Sequence, residues 1–198
     1  GYVEVFMQGG IYKSTNGGID FSVKFSGYCN SLSFINQNTG YAVTKRTSDY
    51  QPSVTRILKT TDGCASWTVQ HRDSANGISS YFSKIQAFDA NTAYALNNSG
   101  SNTRFFKTSN GGENWSFTQA VKEEHDMFFI NSFTGWSGGY SIADSLIISY
   151  TTNAGTNWVL QKRGINSSVQ KLFFLNESTG WALLSSWGMP PSLSKRIM

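Results

Sequence analysis

The sequence predicts an all-β chain, a β-propeller of four-stranded antiparallel blades with about four to five blades represented. Three observations carry this prediction. A turn-forming stretch, clearest as Lys59-Thr60-Thr61-Asp62-Gly63-Cys64-Ala65-Ser66-Trp67, recurs at Lys13–Phe21, Lys107–Trp115 and Tyr150–Trp158, at intervals of 43 to 48 residues. A second motif runs in phase with it, as Asn36–Tyr41, Asp89–Tyr94, Asn131–Trp136 and Asn176–Trp181. Between the two lie short apolar or alternating runs, and no stretch carries a convincing helical period. Two motifs sharing one period of this length mark a repeat architecture. A sandwich has no reason to repeat one turn at that interval.

Each repeat reads as four short strands. Strand A precedes the second motif and is almost continuously apolar, as in Met127-Phe128-Phe129-Ile130 and Leu172-Phe173-Phe174-Leu175, which suits an inner strand buried on both faces. The Asx residue at its end bonds the backbone ahead of it, and Thr-Gly completes a tight turn. Strand B follows as Tyr41-Ala42-Val43 or Trp181-Ala182-Leu183-Leu184. After a variable connection comes strand C, as Arg56-Ile57-Leu58-Lys59 and Arg104-Phe105-Phe106-Lys107. The recurring turn leads into strand D, where Trp67-Thr68-Val69-Gln70 and Trp115-Ser116-Phe117-Thr118 alternate apolar with polar, the period of a half-buried strand. Val121 to Asp126 falls where a loop is expected.

The recurring turn has a physical reading that requires no ligand. The hydroxyls of Ser14, Thr60, Thr108 and Thr151, with the oxygens of Asn16, Asp62, Asn110 and Asn153, are placed to accept backbone N–H bonds inside a hairpin. The glycines that follow supply left-handed backbone angles. The closing aromatics Trp67, Trp115 and Trp158, with Phe21 in the first copy, plug the gap between sheets.

Ser/Thr-x-Asp-x-Gly-x-x-Trp, seen here at Thr60, Asp62 and Trp67, resembles the Asp-box or BNR repeat. With the linked Thr-Gly-Tyr/Trp-Ala motif, the closest resemblance is to propeller repeats of the photosystem II stability and assembly factor type. Sialidases, sortilin-type receptors and some xyloglucan hydrolases carry similar boxes. The resemblance covers nearly the whole chain and implies a propeller in which the box is a structural turn away from the binding face. Three copies depart from the pattern with Asn in place of Asp, Cys64 replaces a glycine, and Phe21 replaces Trp. The missing carboxylates argue against a calcium site, and neither a metal nor a cofactor is expected.

Composition narrows the function classes. Of 198 residues, 39% are hydrophobic and 15% aromatic, enough for a packed core, while 14% are charged, so the surface is built mainly from Ser, Thr, Asn and Gly. The net charge of +4 comes from scattered Lys and Arg, which argues against a nucleic-acid partner. No run is long and apolar enough to span a membrane. Cys29 and Cys64 are the only cysteines, and the strand plan, with one before an inner strand and the other in an outer turn, argues against their pairing. Repeat boundaries divide one propeller region into a partial blade 1–28, blades 29–74, 75–121 and 122–165, and a partial blade 166–198. Gly1-Tyr2-Val3 reads as a strand B and Ser192 to Met198 as the start of a strand C, so a portion of a longer propeller is expected, with self-association through open blade edges as a consequence.

In such a blade the A–B and C–D turns lie at one end, and the variable B–C and D–A connections at the other. Local function is expected at the variable end. The candidate binding residues there are Tyr50, Arg56 and Trp187, two aromatics and a cation suited to gripping a sugar or a peptide. His71 and His125 have no metal-like spacing. Sialidase signatures are missing, and of the carboxylates at the variable end, Glu123, Glu124, Asp126 and Asp144, the pair Glu123-Glu124 reads most simply as a solvated loop. The expected function is a non-catalytic interaction module, exported to the periplasm or cell exterior, that binds a protein or glycan. A glycan-active hydrolase of sialidase or xyloglucanase type is the alternative.

Overall fold

A computed structural model of the chain describes residues 9–44, 54–73, 80–99, 103–119, 123–141, 145–164 and 166–186. The sixteen strands form antiparallel sheets and the described residues contain no helix. The chain divides into two compact units, Gly1–Gln119 and Ala120–Met198.

In the first unit, β1 (Gly10–Lys13) pairs with β2 (Ser22–Ser26). Two complete sheets follow. One has the order β3 (Cys29–Phe34), β4 (Gly40–Thr44), β5 (Thr55–Thr60), β6 (Thr68–Asp73), and the other β7 (Ser80–Ala87), β8 (Ala93–Ser99), β9 (Arg104–Thr108), β10 (Ser116–Gln119). The second unit holds β11 (Glu123–Phe129), β12 (Gly135–Ser141), β13 (Ser145–Thr151) and β14 (Val159–Gly164) in that order, and the pair β15 (Ser167–Asn176) and β16 (Thr179–Ser186). Consecutive strands are therefore neighbours in every sheet, the A-B-C-D order of a propeller blade.

Packing between sheets explains the apolar pattern. Alternate residues of β4 and β5 face opposite ways: Ala42 and Leu58 join Ile11, Phe25 and Trp67 against β1–β2, while Tyr41, Val43 and Ile57 join Phe82, Ile85, Ala95 and Phe106 against β7–β10. In the second unit Trp136, Leu146, Val169 and Leu172 form the core. There the Trp136 and Phe174 rings stack 3.7 Å apart, within 3° of parallel.

Each of the four inner strands described, β3, β7, β11 and β15, bulges at an equivalent residue, Asn30, Ser83, His125 or Gln170, where the partner strand advances without a matching residue, and β15 bulges again at Leu175. Just past the bulge, adjacent inner strands are joined by side chains instead of by a ladder. The Ser31 and Ser33 hydroxyls accept the N–H groups of Ile85 and Ala87 at 3.2 and 3.0 Å. The Asp126 carboxylate occupies the Ser31 position one unit on and accepts the N–H of Leu172 at 2.8 Å. These bonds satisfy inner-strand donors that no neighbouring strand reaches.

Two expectations need correction. Inner strands are not all deeply buried: Met127 and Phe129 on one face of β11 are, but Leu32 of β3 and Phe173 of β15 are each 52% exposed. The reason is that β3 faces the two-stranded β1–β2, and β15–β16 packs one face only within its unit. Nor is Val121 to Asp126 a loop with a solvated Glu123-Glu124 pair, because β11 begins at Glu123, and Glu124, like Asp126, is fully buried. The strands read at Gly1–Val3 and Ser192–Met198 lie outside the described residues.

Candidate functional site

The two ends of the sheets differ in what their polar groups are doing. At the recurring turn, the Thr60 hydroxyl accepts the N–H groups of Asp62 and Cys64 at 3.4 and 3.0 Å and donates to the Asp62 carboxylate at 2.8 Å. That carboxylate in turn takes the N–H and hydroxyl of Ser66 at 2.9 and 2.6 Å. The Ser66 bonds, with help from Thr60, hold the Asp62 carboxyl down to about 2. The other copies repeat the pattern: Ser14 accepts from Gly18 and Asn16 from Asp20, Thr108 from Gly112 and Asn110 from Asn114, Thr151 from Gly155 and Asn153 from Asn157.

The turn is also locked to its surroundings. The N–H groups of Gly63, Gly111 and Ala154 each donate at 2.9 Å to the A–B turn of the same sheet, at Asn38, Asn91 and Phe133, so both recurring motifs share one end of each blade. Lysine supplies a second tie, one the sequence displayed at Lys13, Lys59 and Lys107 without revealing its use. Lys59 Nζ donates to Gly111 O at 2.6 Å and Ala90 O at 3.4 Å in the next sheet, and Lys13 does the same to Gly63 O and Gln37 O. The aromatics fill the gaps between sheets: Trp67 meets Phe25 and Phe34 edge-on at 6.3 and 6.2 Å, and Trp115 meets Tyr41 at 6.3 Å. Trp158 packs against Phe129 at 5.9 Å, and Phe21 is 62% exposed. Cys64 is buried, with a free thiol pushed up by burial, and its φ of +75° lies in the region that Gly18, Gly112 and Gly155, at this position in the three other copies, adopt at no steric cost.

At the opposite end of the first unit lie Thr44, Arg56, Arg72, Asp73, Asn97, Asn98, Thr103 and Arg104. Arg104 reaches Asp73 of the preceding sheet at 3.7 Å, and Asn97 donates to the same carboxylate oxygen at 3.1 Å. Thr103 donates to Asn98 Oδ1 at 3.2 Å, while Asn98 Nδ2 is buried with no hydrogen-bond partner. Arg56, the register counterpart of Arg104, has its backbone N–H on the Thr44 hydroxyl at 2.9 Å. Its Nε is buried and unpartnered. Sequence reasoning singled out Arg56 and missed its neighbours. The signal was present in the repetition of Thr-Arg at Thr55-Arg56 and Thr103-Arg104.

The same end of the second unit carries buried acids. Glu124 accepts the Ser137 hydroxyl at 2.7 Å, and burial pushes its carboxyl up to about 7. Asp126 holds the Leu172 N–H, with Lys171 Nζ 3.9 Å from its other oxygen. By register Glu124 lies opposite Gly139 and Asp126 opposite Gly138, so the two carboxylates point to opposite faces of the sheet. His125, the bulged residue between them, has Nδ1 3.3 Å from the Ser168 hydroxyl. Among the described residues no cluster of three metal-ligating side chains occurs. Of the three candidate binding residues, Arg56 lies as described, and Tyr50 and Trp187 fall outside the described residues.

No protein-family profile matches this sequence, and no curated protein does. Among solved structures, a GH74 enzyme of Niastella koreensis superposes with a TM-score of 0.62 at 15% identity, over 84% of this chain and 28% of that one. The chain thus spans a little over a quarter of that enzyme's length. YCF48 bound to a D1 peptide matches at a TM-score of 0.40 and 16% identity, over 90% of this chain and 86% of that one, a superposition too loose to carry an argument. Together with the four-stranded sheets in A-B-C-D order, the first likeness establishes the fold: the chain is a β-propeller.

Proposed function

We propose that the chain is a non-catalytic propeller module that binds a protein or glycan ligand through the end of its sheets where the B–C and D–A connections lie. The observation that carries this reading is a contrast in the recurring polar side chains of the two ends, the buried indole nitrogens of Trp67 and Trp115 at the turn end being unpartnered as well. At the turn end every hydroxyl–Asx pair is engaged with its own backbone, so those residues have a complete structural role. At the other end, polar groups such as Arg56 Nε and Asn98 Nδ2 are held in place without a partner. Supporting a binding role over a hydrolytic one, Asp73 and Asp126 are engaged in ion pairs and hydrogen bonds, and Glu124 is sealed from solvent. A retaining or inverting glycosidase needs two accessible facing carboxylates.

The test is an array of glycans and peptides probed with the chain, followed by binding of the strongest ligand to variants at each end. Loss of binding in Asn98→Ala or Arg104→Ala, with Asp62→Asn unaffected, is expected. If Asp62→Asn folds normally yet abolishes binding while changes at the other end are harmless, the proposal fails.

A further inference from the structure

Resting on that reading, we propose that Arg56 and Arg72 form an anion subsite beside the β1–β2 pair that takes the carboxylate of an acidic sugar in a glycan ligand. The two residues are direct cross-strand partners on β5 and β6. Directly opposed residues project from the same face of a sheet. Leu58, two residues along β5 from Arg56, lies on that face and packs with Ile11 of β1, so both guanidinium groups face β1–β2.

Two like charges in direct opposition are unfavourable. Among the described residues no acid offsets them: neither arginine has an ion-pair partner there, and Arg56 Nε is buried without a hydrogen bond. The next sheet is an internal control. At the same strand position Arg104 lies opposite neutral Gln119 and reaches Asp73 from the sheet before it. Counting from the closing aromatics Phe21 and Trp67, the position of Asp73 is held in β2's continuation by Gly27. Relative to Arg104, then, the site at Arg56 has lost its carboxylate and gained a second cation.

An external oxyanion supplies what is missing. Guanidinium groups present paired N–H donors that match the two oxygens of a carboxylate. The Thr44 hydroxyl, bonded to the Arg56 N–H, fixes the strand end from which the side chain projects. Tyr28 favours a sugar over a peptide as the carrier. It lies at the same end, on the connection from β2 to β3, 55% exposed, with its ring against Gly9, where an added Cβ would come within 3.1 Å of Cδ1. An exposed ring at the same end of the sheets as the cationic pair offers a stacking platform for a pyranose whose carboxylate turns toward the arginines.

The experiment is calorimetric titration of the whole chain with an oligogalacturonate trimer, its methyl ester and an acetylated, amidated triglutamate peptide. The trimer is expected to bind, more weakly as salt rises, with affinity falling about tenfold or more for the ester and for Arg56→Gln or Arg72→Gln. Lys162→Gln, an equal loss of charge in the second unit, is expected to leave binding unchanged. Arg72 is exposed, so Arg72→Gln keeps the test valid if Arg56→Gln fails to fold. Equal binding of trimer and ester, wild-type binding by Arg72→Gln, or binding of the peptide in preference to the trimer overturns the proposal. An array ligand held at this end of the sheets but indifferent to both arginines overturns it while leaving the interaction module standing.

Discussion

Replacing Glu124 with Gln isolates a single buried carboxyl. In the folded chain it is sealed from solvent and its carboxyl is lifted from 4.5 to about 7, mainly by burial and against the opposing bond from Ser137. A carboxyl whose folded value is raised favours the folded state fully below its unfolded value. That advantage is lost as pH rises through the folded value. At about 1.4 kcal/mol per pH unit, the loss between pH 4.5 and 7 is on the order of 3 kcal/mol, and it levels off above that. His71 acts in the opposite sense, because burial among Phe82 and Phe106 lowers its value from 6.5, so its contribution declines as pH falls below that point. The difference between parent and variant cancels His71. Gln keeps an oxygen for the Ser137 hydroxyl and removes the ionisation, at a cost for its buried amide that does not vary with pH. Urea unfolding at half-unit steps from pH 4.5 to 8.5 is the assay. The variant is expected to gain on the parent between pH 4.5 and about 7, by about 3 kcal/mol in total, and to keep that gain up to pH 8.5. Parallel stability curves would refute the reasoning, whatever their offset.

Further outcomes follow from the turn end. Ala154 stands at φ +57° where the other copies have glycine, so Ala154→Gly is expected to raise stability by about 0.5–1 kcal/mol, left-handed strain being relieved against the added chain entropy. The reverse change, Gly111→Ala, puts a Cβ 3.0 Å from Lys59 Nζ and 3.2 Å from Ala90 O at φ +73°, and is expected to cost about 2 kcal/mol in the same urea titration. Lys59→Met removes the tie to the next sheet and its placement 5.2 Å over the Tyr41 ring, with an expected loss of about 1–2 kcal/mol that a surface lysine would not show. Trp115→Ala is expected to cost on the order of 3 kcal/mol in thermal unfolding, whereas Phe21→Ala, already mostly exposed, is expected to cost well under 1 kcal/mol.

The parts of the fold legible in the sequence are those that local chemistry dictates. Thr60, Asp62, Gly63 and Trp67 announce a hairpin because each has a single-residue reason to be there, and repetition multiplied that signal until the blade order followed. Position within the repeat also placed both turns at one end. What was illegible depends on neighbours distant in sequence. Glu123-Glu124 looks like a solvated pair, and nothing local signals that a bulge at His125 turns the flanking acids to opposite faces of a buried strand. Lys59 is an ordinary lysine until the turn of the next sheet is brought to it, and Arg72 is unremarkable until register sets it against Arg56. The exposure of Leu32 and Phe173 likewise reflects what faces β3 and β15, a fact their own apolar runs do not contain.

The central claim is that ligand binding and the recurring turn occupy opposite ends of the blades. Hydrogen exchange of the chain, alone and with the strongest array ligand, tests it directly. The account predicts added protection at the ends of β4, β5, β6, β8 and β9, around Thr44, Arg56, Arg72, Asn98 and Arg104, with the segments 14–21, 60–67, 108–115 and 151–158 unchanged. Protection confined to those four turn segments would contradict it.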